Sequence, residues 1–357
     1  MIDKIACDFD RIKLELNPDK FMFGDRFRVF ILYFEIFIKI AVLVFQLCSI
    51  LNRMQKSLNQ DNNAMRQRQR YGFLFIISVI CFAALWIHGQ ALALDTNNSY
   101  HFGPLQENLI KDGFNAEKIN RLYNRPQVYL ESDGVTLFFT YKEAKLDYDQ
   151  FANDWSIRRA KNYMGEYKED LDRTEKTYGV DSRVITAILL VETGLGTKVG
   201  TRSTLNTLST LASLGDPKVR KMFWEMIPAE KRTSRKKFEN RANRKSKWAY
   251  KELKAFLEYA YQEGLDPTEI PGSFAGAVGY AQFMPSNIIA YGKDGDNDGI
   301  VDLHNHADAM ASIAYYLKRH GWKPGISRKK AEKVIYHYNH SKYYVKIILK
   351  IADRLES

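Results

Sequence analysis

Residues Val184 to Gly200 read VITAILLVETGLGTKVG: an apolar run, one carboxylate near its end, then glycine on either side of a leucine. Asp181 or Ser182 can cap a helix N-terminus just before it. Val184, Ile185, Ile188 and Glu192 then fall on one helix face. Gly194 is a natural helix stop. The spacing therefore predicts a helix whose last core-facing position is Glu192. A carboxylate in an apolar wall has its charged form disfavoured, which raises its pKa. Such a group can hold a proton near neutral pH and act as a general acid. The alternative is a partly exposed glutamate at a fraying helix end, and periodicity alone leaves both readings open.

Around this segment the chain reads as helix after helix from about Tyr148. WSIRRAKNYMGEYKEDLDRTEKTYG has the pattern of one long amphipathic helix closed by Gly179. STLNTLSTLASLG gives another, ending at Gly215. Upstream, LQENLIKDGFNAEKINRLYNRP is helical up to Pro126, and VYLESDGVTLFFTY alternates about Asp133-Gly134, the signal of a small β-hairpin. Glu230 to Lys254 is dense in Arg and Lys and reads as a solvated helix face. There is no internal repeat and no low-complexity linker, so one mainly α domain is the economical reading.

Two more segments carry chemistry. GSFAGAVGYAQFMPSN, Gly272 to Asn287, is poor helix and poor strand. With Ser273, Tyr280 and Gln282 among small residues, it suits a tight loop that lets backbone approach a ligand. DGDNDGIVDLHNHAD, Asp294 to Asp308, has Asp294, Asp296 and Asp298 alternating, Gly299 at the sixth position, the Ile300 carbonyl at the seventh and Asp302 at the ninth. This is the oxygen-ligand spacing of a calcium loop. Asn305 stands where a glutamate is usual, so Asp308 is the nearest carboxylate for the last ligand. His304 and His306 read as surface histidines, since an H-x-H pair without softer ligands is a weak metal signal. Towards the C-terminus Tyr338, Asn339, Tyr343 and Tyr344 offer flat rings and an amide suited to carbohydrate, or else core tyrosines with satisfied hydroxyls.

Length and composition frame these motifs. The chain has 357 residues, 45% hydrophobic and 13% aromatic, with a formal net charge of +11. That balance suits an acidic polymer, anionic lipid or nucleic acid. No nucleic-acid module is present, so nucleic acid is set aside as a partner. The three cysteines, Cys7, Cys48 and Cys81, all precede the soluble region, which therefore has no disulfide chemistry.

The first ninety or so residues differ. Phe27 to Ile50 is apolar but interrupted by Glu35 and Lys39, and Tyr71 to Ile87 is a clean apolar run. MRQRQR begins at Met65, before the second run, and Ala91 and Ala93 follow it in an A-x-A arrangement. Basic residues, an apolar stretch and a small-residue site together predict a secretory signal over 65–93, with 1–64 an extension and 94–357 the catalytic domain. If both runs are retained, they are membrane helices flanking a basic cytoplasmic loop, and the second anchors the chain in the inner membrane. Both versions export everything after about residue 94, to the periplasm.

Taken together, VETGLG, GSFAGAVGYAQFMPSN, the acidic loop with HADAMASIAYYLKRHGW, and YNHSKYYV resemble, in order and spacing, the lytic murein transglycosylases of the membrane-bound lytic transglycosylase B type. The resemblance runs from about His101 to the end. It implies a lysozyme-like, mainly helical fold and cleavage of the MurNAc–GlcNAc β-1,4 bond of peptidoglycan without water, leaving a 1,6-anhydromuramoyl end. It implies Glu192 as the catalytic acid and base. It implies substrate contacts at Ser273, Gln282, Tyr316, Tyr338, Asn339 and Tyr344. It also implies structural calcium at Asp294, Asp296, Asp298, the Ile300 carbonyl and Asp308. In smaller relatives arginines of the segment corresponding to Asp216–Lys254 lie near the sugar-peptide groups; Arg241 and Arg244 are the candidates here. No organic cofactor is expected. A paired-carboxylate hydrolase needs a second carboxylate across the bond, and the motifs offer no partner to Glu192. A hydrolytic muramidase of the same fold and a catalytically silent, calcium-stabilised glycan-binding protein remain the alternatives.

Overall fold

The computed structural model describes residues 101–140, 148–232 and 234–356. The two N-terminal apolar runs and the Ala91/Ala93 pair lie outside them. Among the described residues no helix is long and apolar enough to cross a membrane. The helices, in chain order, are α1 (residues 101–111), α2 (Ala116–Tyr123), α3 (Ser132–Thr140), α4 (Asp154–Glu166), α5 (Lys168–Tyr178), α6 (Ser182–Thr193), α7 (Thr204–Ser213), α8 (Pro217–Met226), α9 (Arg235–Gln262), α10 (Pro285–Tyr291), α11 (His306–Arg319), α12 (Arg328–Tyr338) and α13 (Lys342–Glu356). A two-residue strand, β1 (Arg202–Ser203), pairs antiparallel with β2 (Pro271–Gly272).

Helix α6 is the axis. The Asp181 carboxylate caps it through the Arg183 N–H, and Gly194 ends it in the left-handed conformation at φ 58°. Every residue from Val184 to Leu190 is buried, because α13 packs along one side and α4 and α5 along others. Burying Ile185, Ile188 and Leu189 completely stabilises the fold by roughly 1.5–3 kcal/mol for each side chain. Helix α7 is buried along its whole length despite four hydroxyl residues after its first. Two of those hydroxyls tie down the N-terminal segment: Tyr123 Oη lies 2.7 Å from Ser209 Oγ, and the Glu131 N–H donates to Thr210 Oγ1 at 2.8 Å.

Three expectations fail. The hairpin about Asp133-Gly134 is helix α3 instead. The buried Glu131 decides this: its carbonyl accepts the Val135 N–H and its carboxylate accepts the Gly134 N–H at 3.0 Å, while Arg202 neutralises its charge. That tertiary cap overrides the local alternation, and Phe138 and Phe139 then pack on Trp248 and Phe238 of α9. The long helix expected over Trp155–Gly179 breaks at Tyr167 (φ −103°, ψ 28°) into α4 and α5. The break directs the Tyr167 ring onto His306, 4.4 Å between centroids. His306 is consequently not a surface histidine; Tyr163, Tyr167 and Tyr280 surround it.

The basic run belongs to α9, whose buried positions Phe238, Ala242, Ser246, Ala249 and Leu253 recur every three to four residues. Most of its cations face solvent as expected. Arg241 does not: it donates to the Phe138 and Phe139 carbonyls at the end of α3, at 3.1 and 2.9 Å, a cation placed at a helix C-terminus.

Candidate active site

Glu192 stands in the last turn of α6 and is partly buried. The Tyr344 hydroxyl donates to its Oε1 at 2.7 Å, across 152 residues of sequence. Tyr344 is itself 1% exposed. Its ring meets Tyr148 edge-on at 6.4 Å and lies parallel to Tyr338 at 6.3 Å. Burial, reinforced by the Glu192 charge, holds both the Tyr338 and Tyr344 phenols well above their usual range. They remain neutral, so Tyr344 can only donate to the carboxylate. Glu192 is thus a partly buried carboxylate with a neutral hydroxyl donor fixed beside it.

The glycine loop forms the facing wall. Ser273 Oγ accepts the N–H groups of Ala275 and Ala277 at 3.3 and 3.1 Å, which leaves its proton to donate. Gln282 adopts φ 48° and is held there by its Nε2 donating to the Gly279 carbonyl at 2.8 Å. The Tyr338 hydroxyl donates to the Ala281 carbonyl at 2.6 Å, fastening the end of α12 to this loop. Tyr316 is buried on Phe283 and Tyr338, and its hydroxyl donates to the His337 carbonyl at 2.8 Å. Asn339 caps α12 in extended backbone and is partly exposed beside this cluster. The structure thus brings Glu192, Tyr344, Tyr338, Tyr316 and the glycine loop together. It gives the Tyr316, Tyr338 and Tyr344 hydroxyls internal partners, so their present bonds shape the site.

Glycine is required where these parts converge. A Cβ on Gly279 (φ 69°) would lie 2.4 Å from the Leu303 Cβ and carbonyl oxygen. A Cβ on Gly196 (φ 81°) would meet His306 and Tyr280 at 2.9 and 3.1 Å. Among the described residues the non-glycine positions at positive φ are Leu195, Gln282 and Asn297. They fall in the turn after Glu192, in the glycine loop and in the acidic loop, and such strain concentrates at functional sites.

The acidic loop closes against the same wall. One carboxylate oxygen from each of Asp294, Asp296 and Asp308 lies within 4.8 Å of the others. Asp308 is 1% exposed and accepts the Gly295 and Asp302 N–H groups, each at 2.7 Å. Burial pushes its carboxyl up to about 6, with the charges of Asp296 and Asp294 adding to the effect. Three carboxylates, one of them desolvated, fit a hard cation with oxygen ligands. Asp298 Oδ1 accepts the Ile300 N–H at 2.8 Å, and the Asp302 carboxylate turns towards His304.

Several supports have no signal in the sequence. Arg159 of α4 donates to the Gly194 carbonyl at 2.8 Å, fixing the end of the Glu192 helix. Thr193 Oγ1 reaches the Tyr280 carbonyl at 3.3 Å. The Tyr163 hydroxyl and His306 Nδ1 lie 2.9 Å apart, and burial lowers the His306 imidazole below its usual range. The tyrosine-flanked histidine is a neutral packing element at the junction of loop, α4 and α11.

The chain is similar to several known proteins. The membrane-bound lytic murein transglycosylase B of Escherichia coli is 32% identical over 176 residues, spanning 49% of this chain and 41% of that protein. The soluble lytic transglycosylase SltB1 of Pseudomonas aeruginosa superposes with a TM-score of 0.58 at 24% identity, covering 70% of this chain and 96% of its own. The Escherichia coli lytic transglycosylase Slt35, in complex with calcium, gives 0.53 at 21% identity, covering 73% and 93%. At those identities the superpositions establish a shared fold. The family model described as the transglycosylase SLT domain matches residues 99–332, more than half of the chain, and the protein belongs to that family.

Proposed function

We propose that the protein is a lytic transglycosylase that cleaves the MurNAc–GlcNAc β-1,4 bond of peptidoglycan and leaves a 1,6-anhydromuramoyl end. The observation that carries the reading is Glu192, a partly buried carboxylate on a helix end with a tyrosine hydroxyl donating to it at 2.7 Å. Protonated Glu192 donates to the glycosidic oxygen as the bond from C1 breaks. The muramoyl N-acetyl group assists the oxocarbenium-like state. Glu192, now anionic and held by Tyr344, takes the proton of the C6 hydroxyl as that oxygen bonds to C1. The carboxyl ends protonated, and water is neither consumed nor released. Ser273, with its hydroxyl proton available, and Gln282 position the sugars and the acetamido group. Asn339 and the tyrosines Tyr316, Tyr338 and Tyr344 complete the sugar-facing wall.

Asp294, Asp296 and Asp308 would hold a structural calcium ion, with Asp298 and the Ile300 carbonyl completing its shell. The ion would neutralise the loop carboxylates. The chain's own residues then keep Tyr280 and the glycine loop against Thr193. The working compartment follows from the N-terminal sequence: a basic stretch, an apolar run and an A-x-A site point to export into the periplasm. A C-terminal reporter that fluoresces only in the cytoplasm should stay dark.

The direct test is Glu192→Gln. It should abolish release of soluble muropeptides from purified sacculi while the variant still binds and melts like the wild type. Substantial turnover would remove Glu192 from the mechanism.

A further inference from the structure

Trp155 is 59% exposed, yet its ring is held. The guanidinium of Arg159, one turn later on α4, lies 4.7 Å from the ring centroid. Arg159 is anchored in turn, donating to the Gly194 carbonyl at 2.8 Å and to Thr197 Oγ1 at 3.4 Å. Gly194 is the left-handed residue that ends the helix of Glu192. One cation therefore fixes an exposed indole to the end of the helix that carries the candidate acid.

Single exposed apolar side chains are ordinary and need no explanation. The anchoring sets this one apart. Arg159 restricts the ring through a cation–π contact, and more than half of the residue still faces solvent. A ring ordered in advance loses little freedom when a ligand covers it. Exposed Asp154 and Arg158 flank it in sequence on α4, and exposed Thr197 shares Arg159 with it, polar neighbours of the kind that rim an aromatic contact point. The ring is flat and apolar, as is the C–H face of a pyranose.

We infer that Trp155, positioned by Arg159, is a stacking platform for a sugar ring further along the glycan strand from the bond at Glu192. The inference rests on the transglycosylase reading. It adds that the protein grips an extended strand beyond the cleaved disaccharide. The short connection from the indole through Arg159 to Gly194 keeps the platform in register with Glu192, two residues earlier.

The test uses peptide-free GlcNAc–MurNAc strands of two lengths, a disaccharide and an octasaccharide, titrated by calorimetry into the full chain carrying Glu192→Gln to prevent turnover. In this background the octasaccharide should bind more tightly than the disaccharide. Trp155→Ala should weaken octasaccharide binding about 3- to 10-fold, the range expected for one aromatic stacking contact. Trp155→Tyr should recover most of that loss. Melting curves superimposing on the parent show that the substitutions leave the fold intact. Equal octasaccharide affinity in the parent and in Trp155→Ala would overturn the platform. If the Trp155 variant binds equally and the wild type digests sacculi, the platform alone falls. If the wild type digests no sacculi and the parent binds neither strand, the transglycosylase reading falls and takes the platform with it.

Discussion

Tyr344→Phe isolates one hydroxyl at the centre of the site. The substitution keeps the ring, which is 1% exposed and contacts Tyr148 and Tyr338. It removes only the O–H that donates to Glu192 Oε1 at 2.7 Å. A hydrogen bond to a charged group contributes about 1.5–3 kcal/mol. In the mechanism above, the carboxylate appears only after Glu192 has given up its proton, so this bond acts most strongly as charge develops. If its loss falls wholly on the transition state, turnover drops roughly 10- to 150-fold. Stability should change little, because no apolar contact is lost. The assay is the initial rate of muropeptide release from sacculi at saturating substrate, with sacculus binding and melting temperature measured on the same preparation. Turnover within twofold of wild type, in a variant that melts and binds like it, would refute the role given to the Tyr344 hydroxyl.

Calcium should raise the melting temperature and chelation should lower it, with a stabilisation of about 2.7 kcal/mol at a hundredfold excess over the dissociation constant; Asp308→Asn should flatten that response in a calcium titration followed by calorimetry. Gly279→Ala combines a positive φ with a clash at Leu303, so chemical denaturation should show a loss of more than about 2 kcal/mol, and an unchanged midpoint would contradict the close approach. The Arg125 guanidinium holds the Asp266 carboxyl down to about 2, helped by Thr268. Its stabilising contribution is therefore complete above the unfolded value near 4 and lost as pH falls through about 2. The melting difference between wild type and Asp266→Asn should be present at pH 6 and shrink steadily from pH 4 towards pH 2; a constant difference would speak against the pairing.

What the sequence made legible was local. The Glu192 helix, its Asp181 cap and its Gly194 stop are separated by a few residues, and the apolar period between them admits little else. The acidic loop is likewise a short run of alternating carboxylates around a glycine. What escaped depended on distant partners. Helix α3 alternates like a hairpin, and only the buried Glu131, paired with Arg202 71 residues away, makes it helical. Tyr344 could be read as a sugar platform or as core, because its bond to Glu192 spans 152 residues. Arg159 was one basic residue in a charged helix until the fold set it under Gly194. His306 passed for a surface residue because the tyrosines around it come from two separate segments, Tyr163 and Tyr167 around the end of α4 and Tyr280 in the glycine loop.

The central claim is that Glu192 works with the substrate's own C6 hydroxyl and without water. Sacculi digested by the wild-type protein in ¹⁸O-labelled water, with the released fragments weighed by mass spectrometry, test it most directly. The account predicts 1,6-anhydromuramoyl ends that carry no label and resist borohydride. Labelled, borohydride-reducible ends would show that water attacks C1 and that the protein is a hydrolytic muramidase.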